Sequence, residues 1–462
     1  MPGSMQELRQ REFARLDESQ HVYLDYTGGG LYGALQVQAH ADLLAHEVLG
    51  NPHSHNPTSL ASTRNVEAAR ERIRQFFHAP ADEYEVIFTQ NASGALKLIG
   101  ESYPFQPGSH YVLTADNHNS VNGIREFARA RGAAVEYLPL NGQLRVDGID
   151  RLLPAVDPEL PNLFAYPAQS NFSGVKHPLG WVELARARGY DVLLDAAAFV
   201  PTNRLDLSRV RPDFVTVSFY KMFGFPTGVG ALIARRSAIG RLHRPWFAGG
   251  TVRFVSAQNQ QHLLALSAEA FEDGTVNYLS IAAVPRGLDF LDSVGMEHIH
   301  RHVALMTQLL LSGLRSLRHD DGSPLVRLYG PDSVEERGGT VAFNLVDPDG
   351  REIRFERVEE RAMQANISLR TGCFCNPGAS EFAFEYAAVD AYKCFNLLRP
   401  EEFTLQQFST CMNDKPVGAV RVSVGIATNE ADIRRLLAML RSFAGARAEP
   451  GGPRQVPEIV GG

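Results

Sequence analysis

A chain of 462 residues is too long for a single compact core, and one large plus one smaller domain is the expectation. With 44% hydrophobic and 21% charged residues, the composition is that of an ordinary soluble globular protein. No run of 18 apolar residues reads as a membrane span, and the polar N-terminus lacks the apolar core of a signal peptide. A net charge of -7 without a basic block argues against nucleic acid or a membrane surface as partner. The four cysteines, Cys373, Cys375, Cys394 and Cys411, do not make a disulfide framework in so long a chain. They are expected as thiols in a reducing cytoplasm.

Residues 1–30 read as an N-terminal arm, with a charged helical pattern over the first twenty. From 31 to 285, short apolar runs alternate with helical patterns. EVIFT (85–89) is followed by the turn QNASG and the helical ALKLIGES; HYVLTADN (110–117) is followed by a helix near 124–131. NLFAYPA, DVLLDAAA, FVTVSF and VGALIAR continue the alternation. Such a pattern predicts an α/β fold with a mostly parallel, doubly covered sheet, whose functional groups gather at the strand C-termini. From 286 to 447 the pattern changes to a long helix (303–317) and the strands VRLYG, TVAFNLV, ISLRTG and AVRVSVG, predicting a smaller α+β domain. The Pro- and Gly-rich residues 448–462 are expected to be a disordered tail.

Six features carry chemistry. Lys221 in SFYKMFGFPTG follows a strand and precedes a glycine-rich turn; alone it would read as a surface lysine, but Ser218 beside it suits a phosphate. Asp195 ends the apolar VLLD run, where a carboxylate must be paired, cap a helix or face a cleft. TQNASGALK offers a helix N-terminus, with Ala92 and Ser93, suited to an anion. His118, just past a strand, presents a flat ring or a cap. Arg421, on the alternating AVRVSVG strand, suits a carboxylate or a surface ion pair. RTGCFCNPGA (370–379) sets two thiols in a Gly/Pro loop; C-x-C without a second pair is poor zinc spacing, so a nucleophilic thiol on a mobile loop, or two inert thiols, fits better.

Taken together, these strings resemble the class V, fold-type I pyridoxal-phosphate (PLP) enzymes of the cysteine desulfurase group. The nearest branch is the sulfurase domain of molybdenum cofactor sulfurases. YLDYTGGGLY (23–32), NPHSHNP (51–57), AYPAQSNFSG (165–174) and FEDGT (271–275) extend the resemblance over nearly the whole chain. It implies a seven-stranded large domain, with Lys221 as the Schiff-base lysine, Asp195 on the pyridine nitrogen and His118 stacked on the ring. Ala92, Ser93 and Ser218 would hold the phosphate, and Thr275 would reach the phosphate of a second subunit in a homodimer. Asn171, Arg370 and Arg421 would bind the substrate, L-cysteine. Cys375 would carry the persulfide, leaving L-alanine and passing sulfur to a protein or small-molecule acceptor. The chain departs from the wider group at Ala198 (often Gln) and Tyr220 (often His), and from its own branch at Ser380 (often Cys). Eukaryotic relatives continue into a domain that binds the molybdenum cofactor. The chain stops at 462 without it, which leaves the acceptor open. An aminotransferase, epimerase or C–S lyase acting on a modified amino acid is the alternative outcome, and it needs no Cys375.

Overall fold

The computed structural model describes residues 4–398, 404–413 and 415–448. Apart from Ala448, the tail expected at 448–462 lies outside the described residues. The central sheet has seven strands: β1 (Tyr84–Thr89), β2 (His110–Thr114), β3 (Ala134–Leu138), β4 (Asn162–Pro167), β5 (Tyr190–Asp195), β6 (Phe214–Ser218) and β7 (Gly230–Arg235). Their order is β1-β7-β6-β5-β4-β2-β3. Only β7 runs against its neighbours; the other pairs are parallel. Because β7 separates β1 from β6, those two point the same way. The C-terminal ends of β1, β2, β4, β5 and β6 therefore share one edge.

The apolar strand runs follow from burial on both faces. Along β5, Val192 and Leu194 join one core with Phe164, Tyr166 and Val215. Leu193, between them, joins a second core with Leu113, Leu163 and Phe214 on the opposite face. Along the central strands such as β4, β5 and β6 almost every side chain is buried, so polar groups collect at their ends.

A second, antiparallel sheet is formed by Val326–Tyr329, Thr340–Val346, Ala419–Ser423 and Arg370–Gly372, in that order. Arg370 and Arg421 stand directly opposite each other in it. The N-terminal Val22–Tyr23 pairs in parallel with Ile367–Ser368. Leu24 then donates to the Ser368 carbonyl at 2.9 Å and accepts from the Ser423 amide at 2.7 Å. Residues 22–24 are thus sewn into the C-terminal sheet.

One cysteine reading is corrected. Cys394 and Cys411 form a disulfide between the helices Ala388–Leu397 and Leu405–Cys411. The two helices bring the Cα atoms to 5.8 Å, within bridging range, across a sequence separation of 17 that carries no local signal. Cys373 and Cys375 remain free and exposed. No helix among the described residues is long and apolar enough to cross a membrane.

Gly230 opens β7 between Thr89 and Ser218. A Cβ there would stand 2.6 Å from Asn91 Cα and 2.7 Å from the Val217 carbonyl, both backbone atoms that cannot yield cheaply. Gly230→Ala is therefore expected to lower the unfolding free energy by about 1–3 kcal/mol, measured by urea denaturation.

Candidate active site

The strand edge supplies one cleft, lined among others by Ala92, Ser93, His118, Asp195, Ser218 and Lys221. After β6 the chain turns into the short helix Phe219–Phe223, which carries Lys221 and ends at Gly224 with φ +79°. Burial holds the Lys221 ammonium below the ordinary lysine range. The Asp195 carboxylate opposes that shift, Arg421 and Arg370 add to it, and Cys375 opposes it weakly. Five of the residues named from sequence thus share one electrostatic neighbourhood.

Asp195 is 9% exposed, and its Oδ1 accepts from the Ala197 amide at 3.1 Å. Asp195 lines the cleft, and its bond to Ala197 closes a turn rather than capping a helix. For His118 the cap and the place in the cleft coexist. The residue caps Asn119–Asn122, and its Nδ1 accepts from the Ser120 amide at 3.1 Å. That bond puts the ring proton of the neutral imidazole on Nε2. Burial pushes His118 below the usual imidazole range; Asp195 opposes this, and Lys221 and Arg421 reinforce it.

At the start of the helix Ala92–Ser102, the Ala92 amide donates to Ser218 Oγ at 2.8 Å. Ser93 Oγ and Ser120 Oγ lie 2.6 Å apart. A helix N-terminus ringed by three hydroxyls is a donor set for a phosphate. A carboxylate, a flat imidazole and a desolvated lysine complete the set of groups that PLP requires, so these residues fit that cofactor.

The cysteine loop closes the cleft from the other sheet. Phe374 is buried; its ring lies 5.4 Å from Phe172 and 4.8 Å from the Arg421 guanidinium. The Phe374 carbonyl accepts from Asn171 Nδ2 at 2.7 Å, and the Cys375 carbonyl accepts from the Asn119 amide at 2.7 Å. Asn376, fully buried, donates to the Asp116 carbonyl and to Asn171 Oδ1, and its own Oδ1 caps the helix Pro377–Ala383. The loop expected to be mobile is docked here at three successive residues. Asn171, expected at the substrate, spends its amide on this loop, while its backbone carbonyl accepts from Arg421 Nη1 at 3.1 Å.

Arg421 is 3% exposed and Arg370 half-exposed, and both bind Asp25. Thr275 stands apart from this cleft: it is exposed, with a 3.2 Å hydrogen bond from Asn51 Nδ2, and lines a neighbouring cavity. Sequence reasoning missed Asp25, Phe374, Asn376 and Ser120. An acid inside YLDYTGGG and an Asn before Pro377 were the available signals.

The class-V aminotransferase family model matches residues 22–436. Human molybdenum cofactor sulfurase is 37% identical over 99% of the chain and 53% of its own length. The Arabidopsis thaliana molybdenum cofactor sulfurase is 35% identical over 96% of the chain and 58% of its own length. The chain thus spans about half the length of these curated relatives. An apo cysteine desulfurase from Thermococcus onnurineus NA1 superposes with a TM-score of 0.77 at 21% identity, covering 95% of this chain and 97% of that one. That likeness shares the fold.

His118 gives a pH signature. Its folded-state pKa is depressed, so as pH falls the unfolded chain takes the proton first, near its ordinary pKa of about 6.5. The stability it contributes is present above that pH and is lost as pH falls toward the folded value. His118→Gln is expected to flatten the fall in unfolding free energy between about pH 7 and pH 5, read from urea denaturation at a series of pH values.

Proposed function

Because the chain belongs to the class-V aminotransferase family, we propose that it is a PLP-dependent cysteine desulfurase, converting L-cysteine to L-alanine and holding the sulfur as a persulfide on Cys375. The observation that carries this reading is the docking of the cysteine loop onto the Lys221 cleft, through Asn171 to the Phe374 carbonyl and Asn119 to the Cys375 carbonyl. An aminotransferase or epimerase has no use for a thiol fastened there.

Lys221 would hold PLP through Nζ, Asp195 would face its ring nitrogen, His118 its ring face, and Ala92, Ser93 and Ser218 its phosphate. When bound, the cofactor makes the substrate Cα–H acidic by drawing electron density from it. Lys221 is suited to take that proton, since burial favours its neutral amine. Arg421 and Arg370 would fix the substrate carboxylate and so the orientation of the Cα–H bond.

The Cys375 thiolate then attacks the substrate sulfur. An S–S bond forms, the Cβ–S bond breaks with its electron pair staying on the carbon fragment, and protons complete alanine. Cysteine and a thiol thus become alanine and a persulfide, with no external oxidant or reductant. An exposed Cys375 can present that sulfur to an acceptor protein or small molecule. Thr275, exposed and outside the cleft, would serve the phosphate of a second copy in a homodimer.

Incubation with L-cysteine, followed by alanine quantitation and mass mapping, tests the reading. Cys375→Ala is expected to lower alanine formation at least 100-fold and abolish the persulfide, whereas Cys373→Ala keeps both. A persulfide mapping to Cys373 would overturn the assignment. Lys221→Ala is expected to lose the visible absorbance of covalently held PLP.

A further inference from the structure

The segment at 25–30, which neither the lysine chemistry nor the thiol chemistry uses, joins the two halves of the cleft. Its Gly30 amide donates to the Tyr220 carbonyl, next to Lys221, at 3.0 Å. A Cβ on Gly30 would stand 2.9 Å from the Lys221 carbonyl, so this stretch lies flush against the lysine turn. At its other end, Asp25 is 8% exposed and divides its carboxylate between two arginines. Oδ2 takes Arg370 Nε at 3.0 Å and Nη2 at 2.6 Å; Oδ1 takes Arg421 Nη2 at 3.0 Å. The room for this arrangement is made at Gly28, where a Cβ would overlap the Asp25 carboxylate and stand 2.6 Å from Arg370 Nη2.

Two guanidiniums directly opposite on adjacent strands repel, and only an anion between them holds them together. With Asp25 in place, the cluster carries one net positive charge. Arg421 keeps a buried Nε–H with no acceptor among the described residues, although Asp25 and the Asn171 carbonyl occupy its other nitrogens. A buried donor left unmade is costly and marks where a ligand oxygen belongs.

We propose that Asp25 is a positioning residue that makes the arginine pair a site for one carboxylate. It fixes the geometry of Arg421 and Arg370, and it trims their charge so that a singly charged group is preferred over a dianion. The inference deepens the amino-acid reading given above and rests on it for the identity of the carboxylate.

The holoenzyme and its Asp25→Asn variant, which keeps the side-chain shape but not the charge, are compared in two measurements. Sodium sulfate, a dianion, is titrated calorimetrically into each, and alanine formation from L-cysteine is followed. Sulfate affinity is expected to rise at least tenfold in D25N, while kcat for L-cysteine falls at least tenfold. A residue that only stabilised the fold would give no gain in sulfate affinity. Sulfate affinity and kcat both within twofold of wild type would overturn the proposal. If D25N does not fold, Gly28→Ala carries the test, because it displaces the ion pair without removing charge. A kcat reduced at least tenfold, with sulfate affinity raised less than threefold, supports the role, and an unchanged kcat overturns it. Sulfate tightening in D25N without alanine formation by the wild type sinks the desulfurase reading alone. Alanine formation without sulfate tightening sinks the Asp25 role alone.

Discussion

A sheet covered on both faces leaves an ionised side chain only its edges, because desolvating a charge against an apolar core costs more than any single contact returns. In this chain that constraint places Asp195, Ser218, His118 and Lys221 together. Each sits at or just beyond the end of a strand whose interior is mainly apolar. The one reversed strand, β7, matters for the same reason. It keeps β1 and β6 pointing the same way, so that the Ala92 amide meets the Ser218 hydroxyl.

The charges gathered at that edge then have to be balanced. Lys221, Arg370 and Arg421 bring three cations into a small volume; Asp195 and Asp25 bring two anions. Burial of Lys221 and His118 shifts both toward their neutral forms, and Arg421 pushes both in the same direction. The cleft thereby sets an amine whose neutral form is favoured by burial beside two arginines. Arg421 joins the parts. It touches the N-terminal segment through Asp25, the large sheet's loop through Asn171, and the thiol loop through the face of Phe374.

The docked thiol loop follows the same logic. Its backbone carbonyls are buried and must find donors. Asn171 and the Asn119 amide supply them. Buried Asn376 satisfies its own side chain on Asp116, Asn171 and the Ala379 amide. The thiol groups, by contrast, remain exposed on either side of the Phe374 anchor. The loop thus combines a hydrogen-bonded backbone with accessible sulfur.

Six of the seven large-sheet strands were legible in the sequence as buried runs such as VLLD and FVTVS, and with them the parallel α/β class; Ala134–Leu138, partly exposed at the sheet edge, carries no such run. The sequence also determined which residue types end those six strands, and hence Lys221, Asp195, His118, Ala92, Ser93 and Ser218 as one set. Strand ends are a local property, legible from where an apolar run stops. Contacts between segments hundreds of residues apart are not. Asp25 meets Arg370 and Arg421 only because Val22–Tyr23 pairs with Ile367–Ser368 and Leu24 bonds to Ser423. Asn171 turns to the thiol loop rather than outward because two buried groups there need partners. Cys394 finds Cys411 because two helices fold back on each other. The tertiary structure decided these pairings, because hydrogen bonds and ion pairs are satisfied by whatever lies nearest in space, and sequence distance does not report that.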